Sequence, residues 1–409
     1  MADFQQTGPI TTLHRLRPEC VPALERRLEE YARQTPVGLV LPALYSEFET
    51  PAMAGIAEQL AEVGYLSRIV VSLDRANAMQ YQRVKAFFRR FRTPVTVLWN
   101  DGEAVQTALA AVAARGLPVG AQGKGRGCWT AYGYLLARGE CDVIALHDCD
   151  IVDYDRSMLA RLVQPLVDPR FGYDFCKGYY ARTNHRMNGR VTRLYIAPLV
   201  RALERMQPGT GFLDFFRAFR YPLAGEFAMR ASLARVNRIP CDWGLEAGFL
   251  AEVYRNCPPS RVCQADIADT YEHKHQPLSA EDRSKGLRRM ATEIATTLFR
   301  TLAGEGVVLG TDHLRTLQVA YVRMAEDMIE SYRSDAIVNE LEFDRGAEEL
   351  AISVFARSLR DAAASFLDDP LGAPPLPNWD RVASAAPEVR GMLLEAGAEV
   401  ADRAAEYVA

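Results

Sequence analysis

The sequence predicts an α/β protein: a doubly wound, mostly parallel sheet followed by a helical C-terminal region. Three observations carry that prediction. Short apolar runs rich in Val, Ile and Leu recur between residues 37 and 146, and each stops at a proline, an acidic residue or a turn. Stretches of helix length separate those runs. Beyond residue 280 the apolar spacing becomes helical throughout.

The elements follow in order. Residues 18–34 carry Leu24, Leu28 and Tyr31 at helical spacing, which predicts an amphipathic helix. The run 37–41 stops at Pro42, 67–73 at Asp74, 94–99 at Asn100-Asp101-Gly102, and 142–146 at His147-Asp148. Runs of this composition fit parallel strands buried on both faces. The segments 51–64, 76–92, 103–115 and 126–139 supply the crossover helices. Such alternation gives a doubly wound sheet with right-handed connections. Ligands on these sheets sit beyond the carboxyl ends of the strands. Tyr45–Glu49, Asp74, Asp101 and Asp148-Cys149-Asp150 all fall there. Further on, strands are expected at 173–180 and 189–195 and a helix near 195–206. Helical spacing then covers 280–304, 312–333 and 345–366. A Pro- and Gly-rich break at 368–377 precedes a last helix from about 384 to 407.

Composition narrows the function. A chain of 409 residues, 49% hydrophobic, can bury an enzyme-sized core. Its net charge of −4 argues against a nucleic-acid binder, which carries a basic surplus. The eight cysteines form no CxxC pair and no metal or disulfide spacing, so reduced, buried thiols are expected. No stretch of about eighteen residues is apolar enough to span a bilayer. Residues 1–6 lack the basic-then-apolar pattern of a secretory signal. The expectation is a cytoplasmic enzyme or binding protein with neither nucleic acid nor membrane as partner.

Asp148-Cys149-Asp150 is the sharpest motif. At an extended strand end, residues i and i+2 share one side, so both carboxylates can face one cation. Hard oxygen ligands suit Mg²⁺ or Mn²⁺, ions that also bind substrate phosphates. Asp153 and Asp155 follow closely, which is also the pattern of an acidic turn; the position after a buried strand favours the metal site. Cys149 should point the other way and pack. Upstream, Gly123-Lys124-Gly125-Arg126-Gly127 combines close backbone approach with a point charge for an anion, without P-loop spacing. Gly189-Arg190-Val191-Thr192 offers a guanidinium, amides and a hydroxyl to an anionic acceptor. Glu226 and Glu246 stand beside glycines, as sugar-orienting acids or as plain ion-pair partners. His273, in His273-Lys274-His275-Gln276, is placed to complete a metal site begun elsewhere.

Together these stretches, with Leu41-Pro42-Ala43-Leu44, resemble the retaining glucosyl-3-phosphoglycerate synthases, and next to them the mannosyl-3-phosphoglycerate synthases. The order and spacing of the motifs agree from residue 36 to about 300. The resemblance implies a GT-A fold, a divalent metal, a UDP-sugar donor, a small phosphorylated or carboxylated acceptor, and a homodimer. It implies donor contacts at Pro42, Ala43, Leu44, Glu47, Asp74, Lys124, Asp148, Cys149 and Asp150. Metal ligands would be Asp150 and His273. Gly189, Arg190, Val191, Thr192 and Glu226 would line the acceptor side, and Glu246, Lys124 and Asp150 would act in catalysis. On this reading residues 1–35 form an N-terminal helical segment, 36–280 a catalytic domain and 281–409 a helical region. The donor half is 36–155 and the acceptor half 156–280.

Two departures touch substrate recognition. The acidic pair expected after Pro-Ala-Leu is here Tyr45-Ser46-Glu47, and the family's His-Arg-Asn-Arg run is His273-Lys274-His275-Gln276. Mannosyl transfer from GDP-mannose therefore stays as an alternative, beside a nucleotidyltransferase and a non-catalytic sugar-nucleotide regulator. A nucleotidyltransferase carries a glycine-rich basic loop after its first strand, which 40–45 does not. A regulator predicts a broken metal site, whereas Asp148, Asp150 and His273 are all present. Retention leaves two routes open: same-face attack by the acceptor hydroxyl, or double displacement through Glu226 or Glu246.

Overall fold

The computed structural model describes residue 6 and residues 8–16, 20–273 and 276–398. Lys274, His275 and the part of the last helix expected beyond 398 lie outside these. So do residues 18 and 19 of the first expected helix. Eight strands form one sheet: β1 (Thr11–Leu13), β2 (Val37–Leu44), β3 (Leu66–Asp74), β4 (Val95–Trp99), β5 (Val143–Leu146), β6 (Phe175–Tyr180), β7 (Phe227–Arg230) and β8 (Val262–Ala268). Their order is β1-β8-β6-β7-β5-β2-β3-β4. Only β7 runs antiparallel, between β5 and β6.

Alternation along the strands explains why the sheet is covered twice. Val40, Val70, Leu98 and Ile144 face one layer, while Leu39, Leu41, Ile69, Val71 and Val143 face the other. The second layer is packed by α1 (Val21–Tyr31), α2 (Pro51–Ala61), α3 (Ala78–Phe87) and, after two helices on the first face, by α6 (Arg156–Val167). Those two are α4 (Glu103–Ala114) and α5 (Lys124–Arg138). A capping box starts α3: Gln80 N donates to Asn77 Oδ1 at 2.9 Å, and Asn77 N to Gln80 Oε1 at 2.8 Å. The chain continues through α7 (Ala197–Met206), α8 (Gly211–Ala218), α9 (Ala231–Val236) and α10 (Leu245–Asn256).

The C-terminal helices α11 (Gly286–Gly304), α12 (Thr311–Val338), α13 (Arg345–Asp368), α14 (Trp379–Ala385) and α15 (Val389–Ala398) share the core of the first layer. Trp379 stacks on Trp129 of α5 with centroids 4.2 Å apart. Each indole is also tied down: Trp129 Nε1 donates to Pro377 O at 2.7 Å, and Trp379 Nε1 to Trp129 O at 3.0 Å. The helical region is thus strapped onto the helix that carries Lys124.

Three expectations change. The last helix, expected unbroken from about 384, is instead α14 and α15, parted at Pro387, which cannot continue a helix from the residue before it. The N-terminal segment contributes a strand as well as a helix: Thr11–Leu13 pairs parallel with β8, and three residues are too few to show periodicity in sequence. Residues 189–195 are not a strand. Val191–Ile196 is a π-helical turn running directly into α7, with Val191, Leu194 and Tyr195 buried.

Candidate active site

The rim formed by the carboxyl ends of β2, β3 and β5 gathers the motif residues. Lys124 opens α5, and its Nζ lies 2.7 Å from Asp148 Oδ1 and 3.0 Å from Glu246 Oε1. Glu246 sits in the first turn of α10. The glycines around Lys124 serve this approach. A Cβ at Gly125 would lie 2.9 Å from Cys241 Cα and closer still to Pro240 O, so only glycine lets the start of α5 nest against the chain that leads into α10.

His273 is brought to Asp150 by a short backbone pairing. Ile151 and His273 form an antiparallel bridge, and Val152 N donates to Glu272 O at 2.8 Å. Asp153 clamps the same loop, accepting from Glu272 N at 3.0 Å and Thr270 Oγ1 at 2.9 Å. His273 Nδ1 stands 3.8 Å from Asp150 Oδ2. The acidic run at 153 is therefore the fastening of the histidine loop.

Glu226 lies beneath the rim, which differs from its expected place on the acceptor wall. It is fully buried. Tyr180 OH donates to its Oε2 at 2.6 Å and Tyr271 OH to its Oε1 at 2.7 Å, while Asp148 N approaches Oε1 at 3.5 Å. The two tyrosine rings stack face to face, 3.7 Å between centroids. A buried carboxylate bonded in this way has partners within the protein and sits against the backbone of Asp148. Lys177, also buried, donates to Ala224 O at 2.7 Å and so braces the segment before Glu226; burial draws its ammonium down to about 8.

The charges in this pocket are unequal. Burial pushes the Asp148 carboxyl up, but the Lys124 ammonium outweighs it and holds Asp148 below the usual carboxylate range. Burial likewise pushes Lys124 down, and Asp148 and Glu246 more than reverse that. On Asp150 the Lys124 ammonium is outweighed: burial, then the Asp148 charge, with Glu47 and Glu226 behind, push it up to about 7. Glu226 is raised as well, by burial and Asp148, against the pull of its tyrosines. A carboxylate raised by crowding and aimed at a histidine is suited to a divalent cation.

Other expected donor residues spread along the same edge. Pro42 and Glu47 are half-buried, Ala43 is buried and Leu44 is exposed. Asp74 is joined to Asp101 through Gln122, whose Nε2 donates 3.0 Å to one and 2.7 Å to the other. Cys149 faces the core, as strand alternation demands, leaving only its backbone to the rim.

The 189–192 loop is held from the C-terminal region. Arg190 Nε donates to Glu348 Oε1 at 3.3 Å, and Arg193 Nη1 to Glu348 Oε2 at 2.8 Å, so α13 reaches back across the fold. Val191 is buried, so its side chain packs and only its backbone is left to the loop. Glu348→Ala should destabilise the fold by about 3 kcal/mol, because it removes the one carboxylate that two guanidinium groups share at a buried position. A lowered urea midpoint checks this, and an unchanged one would contradict the pairing.

Sequence reasoning missed Tyr180, Tyr271, Lys177, Arg182, Gln122 and Glu348. One signal was available: Tyr180 ends β6 and Arg182 follows two positions later, at the carboxyl end where ligands bind.

No family model matches the chain. Over 97% of its length it is 45% identical to a glucosyl-3-phosphoglycerate synthase of Persephonella marina, of which it covers 98%. Over 96% of its length it is 38% identical to the enzyme of that name from Methanococcoides burtonii, covering 97% of it. The crystal structure of glucosyl-3-phosphoglycerate synthase from Mycobacterium tuberculosis in complex with Mn²⁺, UDP-glucose and phosphoglyceric acid matches with a TM-score of 0.54 at 22% identity. The match covers 73% of this chain and 89% of that one, and establishes the GT-A fold. Near-complete coverage of two relatives at such identity decides the affiliation: the chain belongs to the glucosyl-3-phosphoglycerate synthase family.

Proposed function

We propose that this protein transfers glucose from UDP-glucose to 3-phosphoglycerate with retention of anomeric configuration, using Mg²⁺ or Mn²⁺. The observation that carries the reading is the Asp150–His273 pair, 3.8 Å apart, beside the Lys124 ammonium at the sheet's carboxyl edge. Among the described residues no three His, Cys, Asp or Glu side chains cluster to hold an ion. Asp150 and His273 would hold the cation, and so small a protein ligand set suits an ion that also binds substrate phosphates. When bound, the ion supplies Lewis-acid charge to the departing diphosphate.

The chain's own groups do the rest. Lys124 places a positive charge where negative charge grows on the leaving group. Pro42, Ala43, Leu44, Glu47 and Asp74 border the nucleotide, and Gly189, Arg190 and Thr192 border the acceptor. Neither candidate nucleophile is free: Glu226 is capped by two tyrosines, and Glu246 is bonded to Lys124. This favours attack by the acceptor hydroxyl from the face the diphosphate leaves.

The decisive assay incubates the enzyme and Mg²⁺ with 3-phosphoglycerate and either UDP-glucose or GDP-mannose. Expected is an α-glucosyl product from UDP-glucose and little from GDP-mannose; the reverse preference would overturn the donor assignment. The raised Asp150 carboxyl adds a pH dependence. Below about 7 a proton must leave before the cation binds, so the affinity of the Mg²⁺·UDP-glucose pair should fall about tenfold per pH unit there and stay flat above. Calorimetry across pH 5.5–8.5 (roughly 1.5 units to either side) checks it, and a flat profile would contradict the metal role of Asp150.

The eight cysteines are free thiols, most of them buried, which supports a reducing, cytoplasmic setting. No described helix is long and apolar enough to cross a membrane. A homodimer is part of the proposal, and light scattering should return twice the 45.6 kDa chain mass.

A further inference from the structure

We propose that Arg182 binds an oxyanion of the acceptor, a role that the sequence motifs assign to Arg190. The inference rests on the acceptor reading above. Arg190 and Arg193 already share a carboxylate, Glu348 of α13, so both guanidinium groups are engaged within the protein. Arg182 differs. Among the described residues no carboxylate lies within ion-pair reach of it. Its Nη1 donates to Tyr221 OH at 3.0 Å, and its Nε is buried with no partner at all.

A guanidinium carries five donors in a planar fork that matches phosphate or carboxylate oxygens. Burying one of them unanswered is unfavourable unless a ligand supplies the acceptor. The position fits that ligand. Arg182 O accepts from Asn188 N at 2.8 Å, and a Cβ on Gly189 would lie 3.9 Å from Arg182 Cδ, so the side chain borders the 189–192 loop. On its other side Tyr221 meets Tyr180 edge-on at 5.1 Å, and Tyr180 belongs to the stacked pair that caps Glu226 beneath Asp148. Arg182 therefore stands between the acceptor loop and the platform under the metal corner.

The test uses the full chain with Arg182→Gln and Arg182→Lys, saturating UDP-glucose and Mg²⁺, and three acceptors: 3-phosphoglycerate, glycerol 3-phosphate and glycerate. Arg182→Gln should raise the KM for 3-phosphoglycerate about ten- to hundredfold, with kcat and the UDP-glucose KM little changed, and Arg182→Lys should recover part of the loss. A loss that persists with glycerol 3-phosphate and disappears with glycerate assigns the phosphate; the opposite pattern assigns the carboxylate. Unchanged acceptor KM values with an active wild type overturn the inference alone, as does an equal loss of UDP-glucose binding, which marks a merely structural role. Calorimetric titration of 3-phosphoglycerate into the UDP·Mg²⁺ complex separates the remaining case. Binding lost in Arg182→Gln upholds the inference even without turnover, whereas no binding by the wild type overturns it together with the acceptor reading.

Discussion

Asp150→Ala should lower kcat/KM for glucosyl transfer about a thousandfold and remove the dependence of UDP-glucose binding on Mg²⁺. The magnitude follows from losing several kcal/mol of charge stabilisation on the leaving diphosphate, at 1.36 kcal/mol per factor of ten. The fold should be unaffected or slightly steadier, because Asp150 is a partly exposed rim residue whose carboxyl is crowded by burial and by the Asp148 charge. Steady-state kinetics read the first effect and thermal unfolding the second. Retained metal-dependent binding in this variant would remove Asp150 from the ligand set. His273→Ala should weaken the ion less, because the stronger, charged ligand would remain.

Gly225→Ala should lower kcat about a hundredfold through its effect on Asp148. An added Cβ there would lie 2.7 Å from Asp148 Cγ and closer still to Oδ2. Asp148 would have to swing away from Lys124, breaking the 2.7 Å contact that orders the ammonium beneath the diphosphate. The same crowding should cost about 1–3 kcal/mol of stability, as overpacking generally does. Gly55→Ala is the matched control. It lies on α2 with nothing within 4 Å of the added methyl, and should leave kinetics unchanged. Equal kinetics for the two variants would show that Asp148 needs no fixed position.

Much of the donor half is legible in sequence because parallel strands buried on both faces read as unbroken apolar runs. That rule locates β2, β3, β4 and β5, and with them the rim on which Asp148 and Asp150 stand. Alternation then assigns Cys149 to the core, where it lies. The acceptor half is less legible. The β-branched residues of 189–195 suggest a strand, yet Val191, Leu194 and Tyr195 are three and four apart, and packing against α12 and α13 makes the segment a helical turn. The pairs that define the site join distant parts of the chain. Arg193 and Glu348 are 155 positions apart, Tyr271 and Glu226 are 45 apart, and no local pattern links them. Two glycines beside charged residues have a packing role that sequence does not reveal: Gly125 makes room for Pro240 O, and Gly225 for the Asp148 carboxylate.

In the proposed site the chain supplies two ligands and the nucleotide completes the cation's shell. Mn²⁺ titrated into the protein at neutral pH, followed by electron paramagnetic resonance with and without UDP, tests this directly. Expected are weak Mn²⁺ binding by the protein alone, a gain of about a hundredfold or more when UDP is present, and loss of that gain in Asp150→Ala. Mn²⁺ binding of equal strength with and without UDP would contradict it.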